Sequence, residues 1–216
     1  MNRENTVYCS SLFREDRLEV QHAFIRSHPL GLLISHGSTG VVANLVPFVL
    51  KTGDSERGVL QAHMARANPQ WRELDDQVVL VVFRGPDAYV SPSLYATKKE
   101  TGKVVPTWNY GMVQVRGKAK LRDQSDWLTD QLNTLTTTRE ATRAQPWSVA
   151  DAPRDYIEAQ KRAIVGIEIE IAVLEGKWKV SQNQPEANRR SVAAGLSMDE
   201  NTREMAELVR SYGNLE

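Results

Sequence analysis

A chain of 216 residues is long enough for one sizeable domain, and too short for several independent ones. Its 27 Lys and Arg residues balance its 27 Asp and Glu residues, so no global positive field attracts a polyanion, and non-specific binding of nucleic acid would need a local basic patch. This balance argues against nucleic acid as a partner. The single cysteine, Cys9, cannot form an internal disulfide. Since the first 16 residues lack an apolar run of signal-peptide length and no segment offers the roughly 20 apolar residues of a membrane span, we expect a cytoplasmic protein without a membrane partner.

The first half of the chain predicts one helix followed by strands. Leu18, His22 and Ile25 share one helical stripe, and the proline after His28 ends that helix. Glycine-rich turns around Thr39 and Asp54 then separate apolar runs that we predict to be strands. These strands cover residues 30–34, 41–50, 59–64 and 78–83; the last ends at Arg84-Gly85-Pro86, and a short helix starts at Asn68-Pro69.

The second half predicts two further strands and three helices. The strands cover residues 110–121 and 164–171, the second with isoleucine on alternate positions, as expected of a strand with one buried face. The helices lie near residues 125–136, 153–164 and about 197–216. With about six strands in all, we predict a mainly β (α+β) antiparallel barrel with peripheral helices, forming a single domain over residues 1–216.

His63 is the most informative single residue. Strand alternation places His63, Val59 and Gln61 on one face and the more apolar residues Leu60 and Ala62 on the other. An imidazole in this position is able to ligate a metal or haem iron, act as a base or hydrogen-bond a flavin ring. A partly buried histidine with only structural partners explains the same pattern.

Two aromatic and basic segments are further candidates. GKVVPTWNY at residues 102–110 combines Lys103 with Trp108 and Tyr110, and LEGKWKVSQN at residues 174–183 is predicted as a glycine-turned hairpin presenting Lys177 and Trp178. Aromatic rings stack on planar cofactors and cations meet phosphates, but turns with core aromatics would look the same. The glycine, nucleophile and His-Glu-x-x-His motifs of Rossmann, P-loop, α/β-hydrolase and zincin proteins are missing from the sequence.

Four segments taken together resemble the PaiB family, described as FMN-binding negative transcriptional regulators. They are HMARANPQW at residues 63–71, GPxxYVSP at 85–92, and the two segments at 102–110 and 174–183. The resemblance implies an FMN-binding-like split β-barrel, a homodimer and cofactor pockets near the subunit interface. The family includes haem-dependent piperazate synthases, which close a nitrogen–nitrogen bond in an N-hydroxylated ornithine, and the equivalent motif places their haem-ligand histidine at His63. Residues 102–105 and 164–168 match the main PaiB group instead.

Three functions follow from this resemblance. The first, slightly favoured, is a haem b enzyme with His63 as axial metal ligand and redox or N–O/N–N chemistry on a small amine-type substrate. The second is an FMN oxidoreductase with Arg66 or Lys103 at the phosphate and Trp108 beside the ring. The third is a non-enzymatic transcriptional regulator. No catalytic residue is assigned, and the expected cofactor-binding residues are His63, Arg66, Asn68, Lys103, Thr107, Trp108, Tyr110, Lys177 and Trp178.

Overall fold

The structure is a computed structural model that describes residues 7–38, 40–53 and 55–215. The predictions for the first six residues, Thr39, Asp54 and Glu216 lie outside the described residues. Eight strands form one sheet: β1 (Arg14–Glu15), β2 (Leu30–Gly37), β3 (Gly40–Pro47), β4 (Val49–Lys51), β5 (Val59–Ala65), β6 (Val78–Val90), β7 (Thr107–Arg122) and β8 (Ile164–Lys179). The helices are α1 (Leu18–Ser27), α2 (Lys98–Thr101), α3 (Ser125–Glu140), α4 (Arg154–Arg162), α5 (Glu186–Leu196) and α6 (Arg203–Gly213).

The sheet has the strand order β3-β2-β6-β7-β8-β5-β4, and β1 pairs with β8. The pairings with a defined register are antiparallel; in one of them Val59–Ala65 pairs with Ile164–Glu170 and His63 lies opposite Gly166. This is the predicted mainly antiparallel α+β architecture. The helix predictions near residues 125–136 and 153–164 correspond to α3 and α4.

The first of two compact units comprises Met1–Gln21, Arg84–Val113 and Glu175–Glu216, and the second comprises His22–Phe83 and Gln114–Leu174. The prediction of a single domain stays a prediction.

Each unit has its own apolar core, and the second unit's core includes alternating strand positions. In the second unit, Val165, Ile167 and Ile169 of β8 are buried, as the isoleucine alternation predicts. In the first unit, Met205 and Val209 of α6 are fully buried. None of the helices formed by the described residues is both long and apolar enough to cross a lipid bilayer.

Two predicted strand ends are wrong. β6 does not stop at Arg84-Gly85-Pro86 but continues to Val90. Pro86 removes only one backbone donor, and its φ angle is compatible with an extended strand. The segment around Gly176 is not a hairpin turn, since β8 runs through it to Lys179. A Cβ atom at Gly176 would lie 2.6 Å from the Trp178 ring and 2.7 Å from the Glu15 carbonyl oxygen, so this glycine permits close packing.

The C-terminal helix begins later than predicted. Residues 197–202 form a connection that ends in a short 3₁₀ helix, and α6 covers Arg203–Gly213. The sequence prediction also missed α5, in which Val192, Ala193 and Leu196 are buried.

Candidate functional site

His63 lies on β5 in the second unit, on the face that the sequence predicts. Leu60, Ala62 and Met64 are buried, whereas Gln61 and His63 are only partly buried. One side of the His63 side chain therefore faces the protein, and part of the residue stays accessible to solvent.

A buried glutamine of α3 fixes the orientation of this imidazole. Oε1 of Gln131 lies 2.8 Å from Nδ1 of His63, and Gln131 is 1% exposed. Because an amide oxygen can only accept, Nδ1 donates this hydrogen bond, and Nε2 of the neutral ring keeps its lone pair. Nε2 of Gln131 is buried without a partner among the described residues, and Oε1 makes the contact with His63. The arrangement prepares Nε2 of His63 to coordinate a metal or to accept a proton.

A charged cluster lies beside His63 on the same face of the second unit. Glu168 accepts hydrogen bonds from Gln61 at 3.0 Å, Arg122 at 2.6 Å and Trp127 at 3.1 Å. Burial raises the pKa of Glu168, but these donors outweigh it and hold the pKa below its usual value. The carboxylate therefore stays ionised at neutral pH.

Gly166 allows α3 to approach the sheet next to His63. A Cβ atom there would lie 2.3 Å from the Trp127 ring and 2.8 Å from the Arg122 carbonyl oxygen. The close packing of α3, which carries Gln131, thus depends on a glycine that pairs with His63 on the neighbouring strand β8.

Arg66 and Asn68, also in the second unit, already have protein partners. The Arg66 guanidinium forms a 2.5 Å ion pair with Asp123 and lies 5.7 Å from the Trp71 ring centre. Asn68 caps the 3₁₀ helix Pro69–Glu73 by accepting from the Gln70 backbone nitrogen. These contacts explain both residues structurally, and their predicted contact with a cofactor stays a prediction.

The first unit holds a second group of candidate residues around Lys179. Its ammonium donates to the Thr107 hydroxyl and, over 2.6 Å, to the Trp108 carbonyl oxygen. Burial, followed by repulsion from Lys177, lowers the pKa of Lys179. The fully buried Asn109 donates to Ser181 over 2.9 Å, while its Oδ1 has no partner among the described residues.

These residues line a pocket of about 140 Å³ within the first unit. The buried orphan oxygen and the desolvated ammonium are groups that a hydrogen-bonding, anionic ligand would satisfy. The lining consists of Tyr95, Val105, Pro106, Thr107, Asn109, Lys179, Ser181, Asn183 and Gln184.

The remaining predicted residues of the first unit differ in exposure. Trp108 is 52% exposed, donates to Asp87 over 2.7 Å and presents its ring to solvent. Lys177 lies 5.5 Å from the Tyr110 ring centre and donates to the Tyr8 carbonyl oxygen. Lys103 is exposed.

Trp178, by contrast, is 2% exposed and stacks on Tyr212. It is a core residue, on the opposite face of β8 from Lys177 and Lys179.

Gln131 and Lys179 were not among the cofactor-binding residues expected from the sequence. Strand parity offered a signal for Lys179, since it shares a face with Lys177 two positions earlier. No local signal identifies Gln131, because its importance depends on the packing of α3 over β5. Within the described parts of the chain, no group of three or more His, Cys, Asp or Glu side chains is placed to hold a metal ion. A haem iron can be held by a single axial protein ligand.

The family comparison covers most of the chain. Residues 7–173 match a family described as "Putative FMN-binding domain". An uncharacterized protein of Emericella nidulans is 35% identical over 88% of this chain and 90% of its own length. The protease synthase and sporulation protein PAI 2 of Bacillus subtilis is 29% identical over 94% of this chain and 96% of its own length.

Solved structures share the fold at low sequence identity. The flavocytochrome Anf3 from Azotobacter vinelandii superposes with a TM-score of 0.60 at 14% identity, covering 82% of this chain and 74% of that one. The FAD and heme binding protein from Mycobacterium smegmatis gives a TM-score of 0.58 at 17% identity, covering 84% and 80%. The shared architecture is the split barrel that the sequence predicts. From the family match over residues 7–173 and the relatives aligned over most of their length, this chain belongs to the PaiB family of FMN-binding-domain proteins.

Proposed function

We propose that this protein is a haem b-dependent enzyme in which His63 is the axial iron ligand. The observation that carries the proposal is the 2.8 Å contact between Nδ1 of His63 and Oε1 of the buried Gln131. Ligating histidines commonly donate their second ring nitrogen to a fixed acceptor, which sets the tautomer and ring orientation. The donor set therefore fits a haem iron at Nε2.

The chain's own residues would have distinct tasks at such a centre. His63 would hold the iron, and Gln131 would keep the ring in the tautomer that leaves Nε2 free to ligate. Glu168 keeps a fixed negative charge nearby because three donors stabilise its ionised form. Bound haem would supply redox chemistry, with N–O or N–N chemistry on a small amine-type substrate as the proposed class.

FMN binding is the second candidate, and the family description together with the pocket around Lys179 favours it. That pocket offers an ammonium, the Thr107 hydroxyl and the orphan oxygen of Asn109. A phosphate would accept from the ammonium, and a ligand hydroxyl would donate to the Asn109 oxygen. FMN oxidoreductase activity would then depend on the first unit's residues rather than on His63.

An absorption spectrum of the purified protein, supplemented in turn with haem and with FMN, separates the two candidates. We expect a Soret band that survives in the control variant His36→Ala, whose histidine is exposed, and disappears in His63→Ala. Flavin bands that persist in His63→Ala, without a Soret band in the wild type, would rule out the haem proposal.

Lys179→Gln tests the FMN candidate directly. It should weaken FMN retention roughly tenfold through loss of a charge-assisted hydrogen bond, whereas the exposed Lys120→Gln should not. Equal FMN retention in both variants would contradict a role for the Lys179 pocket.

We also propose a homodimer, as the family resemblance implies. Leu30, Val41 and Leu45 on the β2–β3 hairpin are 54%, 71% and 63% exposed, and such apolar surface is typical of a subunit contact. Light scattering after gel filtration should give twice the 24.3 kDa chain mass. Leu45→Lys should shift the species to the chain mass, and a wild-type monomer at micromolar concentration would contradict the proposal.

A further inference from the structure

A second pocket, lying wholly within the second unit, has no role in either candidate function. It has a volume of about 120 Å³ and lies among the end of α1, β4 and the C-terminal half of α3. This volume is well above the roughly 10–15 Å³ of free space that one water molecule needs, so the pocket has room for a small polyatomic group. Its lining includes three cations, Arg26, Lys51 and Arg139, and no carboxylate.

The three cations are held in place by neutral groups. Lys51 donates to the Thr134 hydroxyl over 3.1 Å, the Arg26 guanidinium donates to the Thr52 hydroxyl over 3.5 Å, and Arg139 donates to the Arg26 carbonyl oxygen over 3.0 Å. None of the three forms an ion pair with an acidic side chain that the structure describes. An ammonium has three donors and a guanidinium five, so each cation retains donors for a ligand.

The Thr134 hydroxyl fixes the direction of the Lys51 side chain. It donates its own proton to the Asp130 carbonyl oxygen over 2.7 Å, so its lone pairs face Lys51. The ammonium is thereby positioned at the pocket without neutralisation of its charge.

The floor of the pocket is apolar and buried. Phe48 is 2% exposed and Leu50 is 9% exposed. A low-polarity floor reduces screening, so that an anion placed there interacts more strongly with the cations than it would in open solvent. It also offers a contact for a hydrocarbon portion of the ligand.

We propose that this pocket binds the anionic group, phosphate or carboxylate, of a small-molecule ligand. Two guanidinium groups and one ammonium with unused donors match the acceptor oxygens of such a group. The proposal involves neither His63 nor the Lys179 pocket, so its test is independent of both candidate cofactors.

Isothermal titration calorimetry of the full chain with inorganic phosphate tests the proposal. Lys51→Gln and Arg139→Gln should each raise the dissociation constant roughly tenfold, while the charge-preserving Lys51→Arg should largely retain binding. The exposed Lys120→Gln and Arg154→Gln are the matched controls, and thermal melting of each variant shows that it is folded. His63→Ala should leave phosphate binding unchanged, which separates this result from any outcome for the haem proposal.

Titration with succinate at matched ionic strength identifies the preferred group. Binding of phosphate alone assigns a phosphorylated ligand, and binding of succinate alone assigns a carboxylate. Absence of heat with both anions, or equal affinity of wild type, Lys51→Gln and Arg139→Gln, would overturn the proposal.

Discussion

The two candidate groups differ in what the fold leaves unused. Around His63 in the second unit, protein partners are placed so that one nitrogen, Nε2, is left with a lone pair. Around Lys179 in the first unit, the remaining groups are an ammonium and the orphan oxygen of Asn109. The first arrangement suits a metal, and the second suits a polar or anionic ligand. The two groups therefore differ in binding chemistry although they belong to one fold. Each group also has its own structural support, and that support can be broken separately.

The largest expected effect concerns Glu15, which supports the first unit. Glu15 is 4% exposed and is bonded by Arg17 and Tyr212. Burial raises its pKa, but these donors outweigh it and lower the pKa from 4.5 to about 2. A depressed pKa stabilises the fold above the unfolded value, so that stability is lost as pH falls from 4.5 towards 2.

The variant Glu15→Gln should remove this pH dependence and cost at most about 3.5 kcal/mol at neutral pH, at about 1.4 kcal/mol per pKa unit. Urea unfolding at several pH values measures it, with Glu19→Gln, at an exposed position, as the control. An unchanged slope between pH 4.5 and 2 in Glu15→Gln would show that other groups carry the acid sensitivity.

Gly166→Ala should have the next largest effect, and it acts on the second unit. The added methyl group would overlap the Trp127 ring, so α3 or the ring must move, at a cost of about 2 kcal/mol. Thermal melting should show this loss of stability. The control Ala172→Ser, at an exposed site of β8, should melt like the wild type. If the two groups are separately supported, Gly166→Ala weakens haem binding at His63 and leaves FMN binding at Lys179 unchanged; the reverse result would break the comparison.

Gln131→Leu should change cofactor binding more than stability. Without Oε1 the imidazole loses its orienting acceptor, and we expect haem affinity to fall about tenfold. Gln131→Glu keeps an acceptor at this position and should retain affinity, and Asn133→Ala on the exposed side of α3 is the control. Haem titration followed at the Soret band measures the three variants. Equal affinity of Gln131→Leu and wild type would show that His63 does not need a positioning residue.

The sequence alone predicted the parts of this molecule that depend on local patterns. Strand alternation placed His63 on its observed face, and the sequence predicted helices in the regions of α3, α4 and α6. It failed at Gly85-Pro86 and Gly176, where a typical turn signal occurs inside a long strand and tertiary pairing outweighs the local preference. It could not find Gln131 or the Arg26, Lys51 and Arg139 pocket, because the residues of each come together only through folding.

The smallest expected effect is electrostatic and concerns Lys179 itself. Repulsion from Lys177 contributes, after burial, to lowering the pKa of Lys179. Lys177→Gln removes that repulsion, and the pKa of Lys179 should rise towards its usual value. Burial still lowers it, and solvent screens the charge of Lys177, so this is the smallest of the expected effects. An anion that needs the protonated ammonium should then bind up to a higher pH than in the wild type. Isotope-edited NMR of the lysine side chains follows the titration directly, and the exposed Lys118→Gln is the control. An unchanged titration of Lys179 in Lys177→Gln would mean that burial alone lowers its pKa. The affinity of the Lys179 pocket for anions would then depend on the desolvated ammonium and not on the charge of Lys177.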